Sequence, residues 1–178
     1  MNRTKWTITA VGMAILIWVA VPYVRGAIVR HTAQAPLLLE LGRGSGRDGL
    51  DTVRIGSNGS VILFRYGRNR SEAESTRLAL TEQQMNQIHQ AIRQHDLEHL
   101  DRKYSRSIAD GEQWILRINV KGEVRPTYFN NNFPPNIEAF ADELDLVLAE
   151  AGLTEERWRA VRHIDGWRHD RELWDSIR

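Results

Sequence analysis

The side chains able to do chemistry fall into a few groups, and the carboxylates stand out first. Glu138, Asp142, Glu143, Asp145 and Glu150 crowd one short stretch with no basic residue among them. Hydrolysis by general acid–base catalysis needs two acids whose environments set them apart. Ile137, Phe140, Ala141, Leu144, Val147, Leu148 and Ala151 repeat at helical spacing, however, so the acids belong on the opposite, solvated face. Their expected role is a surface for a basic partner. His89, His95 and His99, and separately His163, Asp165, His169 and Asp170, carry metal-ligand atoms in spacings that match no zinc motif. Four glycines within Gly42–Gly49 suggest a phosphate-binding loop, but a strand-like run follows instead of a helix. Arg65, Arg68 and Arg70 could hold an anion, yet Glu72 and Glu74 offset them. Tyr104, Asp110 and Asn130–Asn132 form the remaining polar group from which a catalytic site could be built. With no cysteine, thiolate catalysis, disulfides and Cys-ligated metals are excluded. No catalytic residue, metal ligand or cofactor is expected.

The elements that must position these residues begin with an apolar run. Trp6 to Val24 are nineteen residues without a charge. A helix of that length spans about 28 Å, close to the hydrocarbon core of a bilayer. Ile15, Leu16, Ile17 and Trp18 form its centre, Trp6 and Tyr23 sit at interfacial positions, and Arg3, Lys5, Arg25 and Arg30 flank it. A tail over 1–5, a single transmembrane helix over 6–28 and a linker over 29–36 are expected. A cleavable signal peptide is the competing reading, but Val24-Arg25-Gly26 is a poor cleavage site and Ala33-Gln34-Ala35 lies too far downstream. The inside-facing amino terminus would place the body outside the cytoplasm, in a bacterial inner membrane. Charge divides along the same line. Residues 1–31 hold four basic side chains and no acid, leaving twenty basic against twenty-three acidic side chains for the rest. So acidic a body does not suit nucleic-acid phosphates.

The body reads as α+β over 37–152. Strands are expected at Leu37–Leu41, Asp51–Ile55, Val61–Tyr66, Thr76–Leu80, Glu112–Val120 and Glu123–Asn130. Asn58-Gly59 and Lys121-Gly122 supply hairpin turns. Thr81 and Gln84 form a capping box for a helix to about His95, with Met85, Ile88 and Ile92 inward and glutamines 83, 84, 87, 90 and 94 outward. A second helix is expected from a cap at Asn136 to about Ala151, closed by Gly152. These elements predict an antiparallel sheet of about six strands with both helices on one face. Residues 153–178 read as a charged helical tail, with a short helix over Glu155–Arg162. Trp158, Trp167 and Trp174 there would dock on the body or on a partner.

Residues 37–151 resemble a bacterial family of small α+β domains of unknown function. The resemblance is carried by Asn58-Gly59, Leu80-Thr81, Tyr104, Asp110-Gly111-x-x-Trp114 and Asn132-Phe133-Pro134-x-Asn136-Ile137. It implies an exported or lipid-anchored domain and supplies no catalytic residues. Some relatives carry a cysteine in the turn that is Gly42–Gly49 here, so no thiol role transfers. The combined expectation is a membrane-anchored, non-enzymatic domain that binds the lipid bilayer and another envelope protein. Its candidate partner surface is Glu138, Asp142, Glu143, Trp158, Trp167 and Trp174. The alternatives are an anchored immunity or inhibitor protein against a toxin, and an envelope hydrolase.

Overall fold

Leu39 and Leu41 alternate with Glu40 and Gly42 along the strand on which the whole sheet is built. The structure, a computed structural model, describes residues 35–45, 48–66, 72–107 and 111–178, apart from the side chains of 163–169. The expected transmembrane residues Trp6, Ile15, Leu16, Ile17, Trp18 and Tyr23 lie outside the described residues. No helix among the described residues is long and apolar enough to cross a membrane. Residues Pro36–Arg178 form one unit by themselves.

In chain order that unit contains β1 (Leu37–Ser45), β2 (Gly49–Gly56), β3 (Ser60–Tyr66), β4 (Ala73–Ala79), α1 (Glu82–Gln94), β5 (Lys103–Ser105), β6 (Gln113–Val120), β7 (Glu123–Asn130), α2 (Pro135–Glu150), β8 (Arg159–Val161) and α3 (His163–Ser176). The eight strands make one sheet in the order β5-β7-β6-β1-β2-β3-β4-β8. This corrects the expectation of an antiparallel sheet of about six strands with helices on one face. The sheet is mixed, because β5 runs parallel to β7 while all other pairs are antiparallel. Both unforeseen strands, β5 and β8, are three residues long, too short for alternation to register. The expected helix over Glu155–Arg162 is instead a 3-10 turn at Glu155–Arg157 followed by β8, which pairs with the edge of β4.

Local chemistry explains most boundaries. Gly59 takes φ 78° after Asn58, whose Oδ1 accepts from the Ser60 amide at 3.0 Å. Lys121 and Gly122 take φ 54° and 91°, the pairing a two-residue hairpin of this hand demands. Thr81 caps α1 reciprocally with Gln84, and Gly152 takes φ 86° just past α2. The start of α2 differs from expectation. Pro134 is its N-cap and Pro135 its first residue, while Asn136 donates from Nδ2 to the His95 carbonyl at 2.8 Å. Asn136 thus ties the end of α1 to the beginning of α2.

One face of the sheet carries the main core. Leu39, Leu41, Ile55, Leu116 and Phe129 are sealed beneath Ile88 of α1 and Ile137, Phe140 and Leu144 of α2. The other face is covered in part by α3, which the one-sided arrangement did not anticipate. Leu173 is fully buried there against Leu50 and Ile115, with Tyr128, Trp174 and Ile177 around them. Gly42, expected in a flexible turn, lies inside β1 beneath that helix. A Cβ there would stand 3.1 Å from Leu173 Cδ1 and 3.2 Å from Leu50 Cδ1, so glycine lets the two surfaces close.

The same second face holds a buried charge. Glu40 is fully buried at the centre of β1, opposite Arg54 of β2 and Arg117 of β6. Arg117 donates to it at 2.8 Å and Arg54 approaches to 3.7 Å. Two cationic neighbours on adjacent strands are what permit an acid in the middle of a sheet.

Candidate partner-binding groove

The two helices of the main core leave a furrow between them. The 3.6-residue period sends Ile88 and Ala91 of α1, and Phe140, Leu144 and Val147 of α2, towards each other and the sheet. A groove of about 280 Å³ runs over them, edged by Gln87, Gln90 and Gln94 on one side and by Glu143 and Glu150 on the other. Leu146 stands on the α2 side with 66% of its surface exposed. Large apolar side chains this exposed are scarce in the body, where Val124 at 36% is the other one among the described residues.

The α2 rim is electrostatically one-sided. Asp145 is taken up by Arg43, which donates to its two carboxylate oxygens at 2.8 and 2.7 Å. That bond, first among its causes, raises the Arg43 pKa above its ordinary value, so the guanidinium stays charged. Glu143 meets His95 Nε2 at 2.9 Å across the helix pair. Glu138, Asp142 and Glu150 have no cationic partner among the described residues, and α2 itself contains no base. Of the three expected partner-surface acids, Glu143 lines the furrow, whereas Glu138 and Asp142 belong to the same helix but lie outside the furrow's lining.

The tryptophans sit elsewhere. Trp158 is half-buried against the main core, and the Arg65 guanidinium lies 4.3 Å from its ring centroid. Arg65 also donates to Glu74 at 2.7 Å and to Glu155 at 3.0 Å, fastening the 3-10 turn to β3 and β4. The bond from Arg65 holds the Glu155 carboxyl below its ordinary range. Trp174 meets the Tyr128 ring edge-on at 6.0 Å on the second face, and burial raises the Tyr128 hydroxyl pKa. The Trp167 side chain lies outside those described.

The other candidate chemistry is spent on structure. Tyr104 stacks on Phe129 and its hydroxyl accepts from the Asp101 amide at 3.0 Å. Asn131 takes φ 52° and donates to Asn130 Oδ1 at 2.7 Å, while Asp110 lies outside the described residues. His99 pairs with Asp96, and His95 with Glu143, so these imidazoles do not converge. Among the described residues no three acidic or histidine side chains gather to hold a metal. Sequence reasoning missed Leu146, whose exposure breaks the α2 period, and Glu40, whose only sign was an acid inside an apolar run.

No protein-family model and no curated protein matches this chain.

Proposed function

We propose that this chain is a membrane-anchored, non-enzymatic domain whose α1–α2 groove docks a segment of another envelope protein. The occupant is an amphipathic segment with apolar side chains on one side and lysine or arginine on the other. The observation that carries the reading is an open furrow with an apolar floor, an exposed Leu146, and a rim whose charged members are the acids Glu143 and Glu150, of which Glu150 has no cationic partner among the described residues. Apolar contact would supply affinity and the acidic rim would select the charge of the partner. The uncharged run over 6–24, flanked by basic residues, supports the anchor.

The experiment is photo-crosslinking in intact membranes from position 146, with the exposed position 172 of α3, on the other face of the sheet, as control. One discrete adduct from 146 that is absent from 172 is expected, and Glu143→Gln/Glu150→Gln should weaken it. An adduct pattern identical at both positions would refute a dedicated groove. An active phosphatase fused to the carboxyl terminus would separately support an exported body, and an inactive one would place it in the cytoplasm.

A further inference from the structure

The sheet has a second surface of opposite sign at its β4–β8 edge. Strand register puts Ser75 directly opposite Arg159, and Arg77 follows two residues along β4 on the same face. Arg157, from the turn just before β8, completes a depression of about 410 Å³. Its described lining is Ser75, Thr76, Arg77, Arg157 and Arg159, three guanidiniums and two hydroxyl residues without an acid.

The nearby acids are engaged away from it. Glu74 projects to the other face of β4 and, with Glu155, is bonded to Arg65. Thr154 bonds the Glu156 carboxylate and holds its pKa below the ordinary range. Arg159 is positioned by donating to the Glu156 and Trp158 carbonyls, which orients its guanidinium without neutralising it. Arg77 and Arg157 have no anionic partner among the described residues. The lining therefore lacks an internal counter-ion on a body whose net charge is otherwise acidic.

We propose that this depression binds a phosphoryl oxyanion through Arg77, Arg157 and Arg159. Guanidinium donors match phosphate oxygens in paired geometry, and the Ser75 hydroxyl adds a neutral donor at the floor. Volumes of about 300–1,000 Å³ accommodate small organic ligands, so there is room for a group larger than phosphate alone. The shared chemistry belongs equally to a soluble phosphate ester and to the phosphodiester of an anionic lipid headgroup.

The test titrates the detergent-solubilised full chain with three probes: glycerol phosphate, dihexanoyl phosphatidylglycerol and dihexanoyl phosphatidylcholine. Arginine side-chain Nε–H resonances report binding. At least one anionic probe should shift the Arg77 and Arg157 signals, and Arg77→Gln/Arg157→Gln should weaken its Kd at least tenfold. Arg93→Gln on α1 should leave it unchanged. Tighter binding of the glycerol phosphate marks a soluble ligand, and tighter binding of phosphatidylglycerol marks a headgroup. Failure of both anionic probes, equal binding of phosphatidylcholine, or equal losses in the Arg93 variant would overturn the proposal. Unchanged thermal unfolding of the double variant separates lost binding from lost folding. The groove on the opposite face plays no part in this result.

Discussion

Replacing Glu40 with glutamine should be one of the most damaging isosteric changes available to this sheet. Its carboxylate is fully buried and meets Arg117 at 2.8 Å and Arg54 at 3.7 Å. At an effective dielectric of about 20, those contacts amount to about 6 and about 4.5 kcal/mol before the cost of desolvation. Removing the charge also exposes the two arginines to each other. The strands that flank β1 lie roughly 9.6 Å apart, where like charges repel by about 1.7 kcal/mol at the same dielectric. Breaking a buried ion pair by deleting one member costs about 3–5 kcal/mol. Arg54 and Arg117 keep 34% and 21% of their side-chain surface in solvent, which screens them and favours the lower end. Glu40→Gln should therefore lose about 3 kcal/mol in urea unfolding followed by tryptophan fluorescence. Glu40→Leu combined with Arg117→Met should lose less than the sum of its parts, with a coupling of about 1 kcal/mol or more. A loss below about 1 kcal/mol for Glu40→Gln, or additive single effects, would refute the idea that the three charges act as a unit.

The docking of α3 makes a second prediction. Leu173 is fully buried against Leu50 and Ile115, so Leu173→Ala should cost about 2–5 kcal/mol or release α3 alone, visible as faster amide exchange in residues 170–176. Gly42→Val, which drives a side chain into the 3.1 Å gap beneath Leu173, should produce the same exchange pattern with a cost of about 1–3 kcal/mol. Exchange unchanged in both variants would mean that α3 is held by something else. The Arg65 contact makes a third. Glu155 titrates below its ordinary 4.5, so its contribution is complete above that value and disappears as pH falls through the lower folded-state midpoint. Carbon-13 titration should show Glu155 moving back up in Arg65→Met, and an unmoved midpoint would exclude Arg65 as the cause.

The parts of this fold that were legible are those whose signal is local. Asn58-Gly59 and Lys121-Gly122 dictate turns because they tolerate φ of 78°, 54° and 91°. Thr81 and Gln84 announce a cap within one turn of helix, and the amphipathic period of α2 spans four turns. What depends on distant register was not legible. Glu40 inside Leu37–Leu41 is odd on inspection, yet its partners are fixed only once β2 and β6 align beside β1. β8 carries no alternation of its own and owes its place to the free edge of β4 and to Trp158 beneath Arg65. The acids of α2 were visible as a solvated face. Their groove was not, because it takes α1 lying alongside α2 to make one.

The distribution of charge over the finished fold bears on both proposals. A formal +1 for the whole chain describes none of its surfaces. Register places Arg54, Arg77 and Arg159 on the second face of the sheet, while α2 holds its acids above the first. Packed layers separate elements on opposite faces of a sheet by about 20 Å, against a screening length of about 8 Å at physiological salt. Charges that far apart through solvent neither cancel nor reinforce one another, so a basic segment in the groove and a phosphoryl group at the arginines would bind as independent events. Their salt dependences would come from separate sets of side chains, and losing one site would leave the other as evidence.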